Sequence, residues 1–271
     1  MEWKNIYRGL IMGASDVIPG VSGGTIAVLL GIYDRLIAAI NGLVSKEWKK
    51  QLGFLIPLGI GIGSAVLLLS HLIEWLFEHY PGPTQFFFLG LIIGILPYLF
   101  KEADVKVNFK AHHYILLIVG LVVVGSMMFL HTSEGVVIED ITVSTYILLF
   151  FCGFIASAAM ILPGISGSFI LLVIGVYSTV ISAISNLQLD IIAVVGIGIL
   201  LGIITMSKVI NFFLENYRSA TFALIIGLVI GSIFVVFPGW PERTTLLLLS
   251  VATFAVGLFV AYILGKVEYK E

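Results

Sequence analysis

Charge is what this sequence has least of. Lys, Arg, Asp and Glu together supply only 11% of 271 residues, about half the share carried by an ordinary soluble domain. Hydrophobic residues make up 59% and the mean hydropathy is +1.13. Apolar runs long enough to cross roughly 30 Å of hydrocarbon recur along the whole chain, which excludes a soluble globular fold. Cysteine is nearly absent as well. Cys152, the single one, sits inside an apolar run, so neither an intrachain disulfide nor a thiolate-built metal site is available. His71 and His79 have no second ligand at metal spacing, and His112 and His113 fall in a basic loop, so no metal or cofactor is expected. A cleavable leader is not expected either: Met1–Tyr7 is short and polar, and no A-x-A site follows an isolated apolar stretch. A formal net charge of −2 gives no reason to expect a nucleic-acid partner.

What the chain does have is an internal repeat. Ile18–Ile40, IPGVSGGTIAVLLGIYDRLIAAI, matches Leu162–Ile184, LPGISGSFILLVIGVYSTVISAI, without a gap. Pro19/Pro163, Gly20/Gly164, Ser22/Ser166, Gly23/Gly167, Gly31/Gly175 and Tyr33/Tyr177 coincide. A second block pairs Gly59 with Gly196, Gly61 with Gly198, Glu78 with Glu215, Tyr80 with Tyr217, Gly90 with Gly227 and Gly94 with Gly231. The offset changes between the blocks, and Ser45–Gln51 is the extra loop that accounts for it. Chance likeness between apolar helices scatters Leu, Ile and Val matches; it does not align Pro, Gly, Ser and Tyr in register.

The expected fold is therefore an all-α polytopic membrane protein of two units, residues 1–135 and 136–271. Each holds a broken segment (8–43 and 151–187) and three plain spans, about 54–76, 85–100 and 114–130, then 191–213, 220–237 and 245–264. The positive-inside rule decides whether a broken segment crosses or dips. If both dip and return, Lys4, Arg8, Lys46, Lys49, Lys50, Lys101, Lys106, Lys110, Arg218, Lys266 and Lys270 share the cytoplasmic side, leaving Arg243 outside. If both cross, the lysine-bearing regions at the N-terminus, 46–50 and 101–110 cannot share one side. Re-entrant segments are thus expected, with both termini cytoplasmic. Three crossings per unit is odd, so the second unit is inverted relative to the first, a recurring plan of secondary transporters.

Backbone that leaves the helix inside a membrane must be buried in protein or line a wet cavity. Proline at 19 and 163 stops the first arm, and the glycines after it allow close approach to the backbone. New helices are expected near Thr25 and Phe169, with free N–H groups directed into the loop. Ser22, Thr25, Ser166 and Ser168 add hydroxyls, a set suited to phosphate or carboxylate. Gly59/Gly61/Gly63, Gly90/Gly94 and Gly227/Gly231 are read instead as helix-packing positions. Ionisable groups near the membrane interior are functional suspects by default. Asp16 precedes the first break and is the candidate for proton coupling, while Asp34 and Arg35 lie on its second arm. The second unit has Met160, Ser178 and Thr179 at those positions.

GASDVIPGVSGGT at 13–25, with ILPGISGSF at 161–169, resembles the bacterial polyprenyl-phosphate transporter family of the PopT type, over essentially the whole chain. The resemblance implies a flippase in the bacterial cytoplasmic membrane that returns undecaprenyl phosphate, the lipid carrier of cell-wall precursors. It supports Ser15, Asp16, Pro19, Gly20, Ser22, Gly23, Gly24 and Thr25 in the first loop, and Pro163, Gly164, Ser166 and Gly167 in the second. Arg35 is a further candidate, as a cationic partner at the cytoplasmic mouth. The second loop has Ser168-Phe169 where the first has Gly24-Thr25. The expected partners are the lipid phosphate and membrane lipids, with homo-oligomerisation left open.

Two other functions compete. A small-anion channel or exchanger needs no lateral opening to lipid. A membrane undecaprenyl-pyrophosphate phosphatase shares dipping loops and a PGxSRS-like motif. Here, however, Gly23 and Gly167 stand where that motif has arginine, and no paired glutamates lie within the apolar segments to act on water or phosphoryl groups. The chain is therefore not expected to be an enzyme.

Overall fold

A computed structural model describes residues 1–16, 22–130, 137–138 and 141–268. Among these the regular structure is entirely helical. The first half holds α1 (Asn5–Asp16), α2 (Gly23–Leu29), α3 (Tyr33–Gly42), α4 (Trp48–His79), α5 (Pro81–Glu102), the short α6 (Val105–Asn108) and α7 (Ala111–Gly125), which ends in a 3-10 turn. The second half holds α8 (Val143–Ile161), α9 (Gly167–Ile174), α10 (Tyr177–Ser185), α11 (Leu189–Asn216), α12 (Arg218–Val236) and α13 (Thr244–Glu268).

Each plain apolar run forms one helix. Together with α8, seven described helices are long and apolar enough to cross a membrane: α4, α5, α7 with its 3-10 turn, α8, α11, α12 and α13. Large apolar side chains such as Leu67, Leu68, Ile118, Leu200 and Phe259 are exposed on them, a surface that only lipid covers without penalty. The protein is an all-helical, multi-pass membrane protein.

The two broken segments are built alike but are unequal in length. The 12 residues of α1 reach about 18 Å, whereas the 19 of α8 reach about 28 Å, close to a full hydrocarbon thickness. The first arm of the second segment therefore begins at Val143, not at 151. Its N-terminus is fixed by Thr142, whose hydroxyl accepts from the Thr145 amide. The new helices start at Gly23 and Gly167, each two residues ahead of the expected Thr25 and Phe169. The bend between α9 and α10 is 115°. It passes through Gly175 at φ 82°, and its sequence match, Gly31 between α2 and α3, has φ 62°. That left-handed conformation explains why the repeat keeps glycine there.

The core lies where α2, α3, α5 and α12 meet, and every residue of α2 is buried. α5 and α12 run antiparallel. Phe86 near the start of α5 packs on Phe237 just beyond α12, with ring centroids 5.9 Å apart, while Glu102 at the end of α5 pairs with Arg218 at the start of α12. The four most extensive helix pairings are α1 with α4, α8 with α11, α5 with α13, and α12 with α7. Under the sequence match, α1, α4, α5 and α7 correspond to α8, α11, α12 and α13. The first two pairings are thus equivalents within a half, and the last two are equivalents that exchange the final helix between halves.

Matched glycines create these contacts. A methyl group at Gly9 would overlap the Leu58 carbonyl oxygen, and one at Gly61 that of Ile6; the counterparts Gly153 and Gly198 lie against Val195 and Phe150. Likewise Gly90 and Gly257 lie on Phe254 and Phe87, and Gly227 and Gly120 on Leu117 and Leu224. Between helices in lipid, where no hydrophobic drive acts, such close backbone approach supplies the attraction. Gly59 and Gly63 do not belong to this set: nothing lies within 4 Å of a side chain built there, so their expected packing role is corrected to an open helix face. Gly227→Val should destabilise the protein by about 1–3 kcal/mol through overpacking, lowering its thermal midpoint in detergent, while Gly59→Val should leave the midpoint nearly unchanged. Equal midpoints for the two variants would contradict this packing.

Candidate functional site

The second break follows from local chemistry. Pro163 disfavours helix at the residue before it, and Leu162 is accordingly extended, with φ −72° and ψ 128°. Gly164 then takes φ +91°, and a Cβ there would stand 2.6 Å from the Leu228 carbonyl oxygen. Only glycine fits. Helix α8 is left with terminal carbonyls that have no intrahelical partner, and Gly164 with a buried amide that no helix serves.

The first broken segment supplies their partners. The Ser22 hydroxyl donates to the Met160 carbonyl at 3.3 Å, and the Tyr33 phenol donates to that of Ile161 at 3.2 Å. The Gly164 amide donates to Thr25 Oγ1 at 2.8 Å. Ser22 also caps α2, accepting from the Gly24 amide at 3.1 Å. A side chain at Gly24 would press on the Ile161 carbonyl oxygen at 3.0 Å. Ser22 and Thr25 are 1% and 2% exposed, so the junction is dry and polar within an apolar body. The side chains that meet there, Ser22, Thr25 and Tyr33, are neutral. They can offer hydroxyl and amide hydrogen bonds to an anion that displaces the present partners.

The sequence-predicted residues are only partly gathered here. Ser22, Gly24, Thr25 and Gly164 meet directly, and buried Pro163 forms the bend. Ser166 and Ser168 bond to each other at 2.9 Å, and Gly167 starts α9 against the Ala156 carbonyl. Gly23 opens α2 and is buried. Ser15 is turned inward, donating to the Met12 carbonyl at 2.6 Å. Pro19 and Gly20 lie outside the described residues, as does the side chain of Asp16, the last residue of α1. Arg35 is not brought to the junction. It donates to Gln51 at 2.7 Å, lies 3.7 Å from Glu2 and covers the Phe54 ring. Asp34 does not pair with it either; the Asp34 carboxylate accepts from Arg218, which also holds Glu102.

Two features were not foreseen. Tyr33 stands out in the sequence only as a repeat match, and its hydrogen bond across 128 residues has no sequence signal. The other is an apolar cleft of about 410 Å³. Met206, Ile210 and Phe213 of α11 form one wall and Leu224 and Leu228 of α12 the other, with Leu116 of α7 beside them; Leu162 and Tyr33 also border it. The lining residues Val209, Phe213 and Tyr217 are exposed, so the cleft is open to the exterior of the protein.

Two helical segments joined by hydrogen bonds inside a bundle of membrane-length helices define a polytopic membrane protein. Residues 12–255 match the VCA0040-like, undecaprenyl phosphate translocase-like family, and the chain belongs to that family. It is 45% identical over 274 residues to a polyprenyl-phosphate transporter of Staphylococcus aureus (strain NCTC 8325 / PS 47), covering 98% of this chain and 97% of the relative. It is 38% identical over 260 residues to a polyprenyl-phosphate transporter of Vibrio cholerae serotype O1 (strain ATCC 39315 / El Tor Inaba N16961), covering 91% and 80% respectively. No solved structure matches the chain significantly.

The junction makes a direct prediction. Thr25→Val removes the acceptor of the buried Gly164 amide and should cost about 1–3 kcal/mol, read as a lower thermal midpoint; Thr25→Ser keeps the acceptor and should restore most of it. A valine variant as stable as the serine variant would show that the Thr25–Gly164 bond contributes nothing.

Proposed function

We propose that this protein is a flippase for undecaprenyl phosphate in the bacterial cytoplasmic membrane, returning the lipid carrier for another round of cell-envelope synthesis. The names of its relatives support polyprenyl phosphate as the substrate class. The observation that carries the mechanism is the Thr25–Gly164 hydrogen bond, which ties the first turn of α2 to the second Pro-Gly loop. A bare phosphate is prohibitively costly in hydrocarbon. At the junction, the Gly164 amide and the hydroxyls of Ser22, Thr25, Ser166 and Ser168 replace part of its hydration. Bound phosphate takes the place of Thr25 as acceptor of the Gly164 amide, so that binding loosens the contact holding the segments together. The tail stays in lipid or in the apolar cleft throughout.

On this reading the halves are inverted repeats whose broken segments enter from opposite faces, with both termini cytoplasmic. The antiparallel course of α5 and α12 and the exchanged pairings α5–α13 and α12–α7 support it. Single cysteines in a Cys152-free background should label from the cytoplasm at Ser45 and from outside at Asn186. Labelling of both from one side would sink the inverted arrangement.

Asp16 is the coupling candidate because it is the carboxyl that immediately precedes the first break in the sequence; in its protonated form it admits the phosphate. The test of transport uses proteoliposomes loaded with a polyprenyl phosphate and a phosphatase confined outside. Protein-free vesicles should lose only the outer-leaflet phosphate, whereas vesicles with the protein should lose that of both leaflets. Ser22→Ala and Ser166→Ala should each weaken substrate binding roughly tenfold, as loss of a hydrogen bond to a charged group does. Asp16→Asn should flatten the pH dependence of the rate. Inner-leaflet phosphate that survives in the presence of wild-type protein would refute lipid transport.

A further inference from the structure

The ion cluster and the apolar cleft are joined along the chain at two points. Tyr33 borders the cleft and its chain neighbour Asp34 holds Arg218 at 2.6 Å; Tyr217 lines the cleft, and Arg218 follows it directly. The guanidinium lies over the Phe222 ring, 4.8 Å from its centroid, and contacts Glu102 at 2.7 Å on its other side. An apolar trough, with Leu162 of the second broken loop on its border, thus adjoins an arginine held between two carboxylates. None of the cleft-lining side chains is charged.

An apolar trough beside an arginine whose two carboxylate partners are exposed enough to exchange suits an amphiphilic anion that displaces them. A water-soluble anion gains nothing from the trough, and a neutral lipid gains nothing from the arginine. We infer that Arg218 and the cleft between α11 and α12 form a docking site for a polyprenyl phosphate, with the phosphate on Arg218 and the first isoprene units along Phe213, Leu224 and Leu228. This rests on the proposed polyprenyl-phosphate substrate and adds a station separate from the paired loops. A guanidinium fork binds phosphate and carboxylate with the same bidentate geometry, so Asp34 and Glu102 occupy the place the phosphate takes. Both carboxylates are about two-fifths exposed, and exposed ion pairs are weak enough to exchange. The tail then leads from the ion cluster toward Leu162 and the junction. The second half has Ser178 where the first has Asp34, and the first has Pro81 where the second has Arg218. The station therefore serves one end of the molecule only.

The carboxylates give a test of opposite sign. Binding of farnesyl phosphate to detergent-solubilised full-length protein is measured by calorimetry, with thermal midpoints recorded to confirm folding. Arg218→Gln should weaken binding about tenfold or more, and Arg218→Lys by less. The double variant Asp34→Asn, Glu102→Gln breaks the same ion pairs but frees the guanidinium, and should tighten binding severalfold. Leu224→Trp, which fills the trough, should weaken farnesyl phosphate severalfold while leaving the inhibition constant of inorganic phosphate unchanged. If Arg218 only staples α3, α5 and α12 together, the double variant will weaken binding in parallel with Arg218→Gln, and the docking site is overturned. Binding unaffected by Arg218→Gln overturns it too, while leaving the transporter reading intact. Wild-type protein that binds no polyprenyl phosphate overturns both.

Discussion

A helix that ends inside a membrane protein leaves carbonyls and amides that water cannot reach, and this structure depends on how those groups are served. Helix α8 stops at Ile161 because Pro163 forbids its continuation. The resulting orphans are the Met160 and Ile161 carbonyls and the Gly164 amide. Ser22, Tyr33 and Thr25 satisfy them from the other half of the chain. Each such bond is worth only about 0.5–1.5 kcal/mol net when made, and an unpaired buried amide or carbonyl costs about 1–3 kcal/mol. The two halves are therefore held in register less by what the bonds add than by what their loss would expose. A phosphate oxygen can accept from the Gly164 amide in place of Thr25 and so removes that one tie, whereas the two carbonyls still need their hydroxyl donors.

The packing of the bundle leaves this junction free to act. Within each half the first arm is bound tightly to its long neighbour, α1 to α4 and α8 to α11, through glycines that bring backbones into contact. Between halves, α5 and α12 each take the final helix of the other half. The broken segments thus meet among matched helix pairs, the pattern the proposed inverted repeat leads one to expect. The ends of the central α5–α12 pair are closed by different chemistry. Arg218 bridges Asp34 and Glu102 at one end; at the other, Phe86 packs on Phe237 and Trp240. On the proposed reading this asymmetry separates the cytoplasmic from the outer mouth.

Much of this architecture was legible in the sequence, for reasons that can be stated. The plain spans announce themselves by length and hydropathy, and the repeat by Pro, Gly and Tyr in register. The paired glycines at 61/198, 90/227 and 94/231 are legible because close helix contact tolerates little else. Gly59 and Gly63 misled because spacing alone does not say which face of a helix meets a neighbour. The early start of α8 was missed because the match is anchored at 18–40, where the equivalent arm is only 12 residues long. The partners of the loop hydroxyls were not legible either. A serine suited to bind an anion and one that serves a broken helix look the same until the other segment is in place. Arg218 counted only as one more charge on the positive side, since its contacts with Asp34 and Glu102 span 184 and 116 residues.

The central claim is that the junction of the two broken segments is where the phosphate crosses. Structure determination in lipid nanodiscs with a bound short-chain polyprenyl phosphate tests it most directly. The account predicts a class of particles with phosphate density within hydrogen-bonding distance of the Gly164 amide and the Thr25 hydroxyl moved away from it. Phosphate density confined to the protein surface in every class, with the Thr25–Gly164 bond intact throughout, would contradict it.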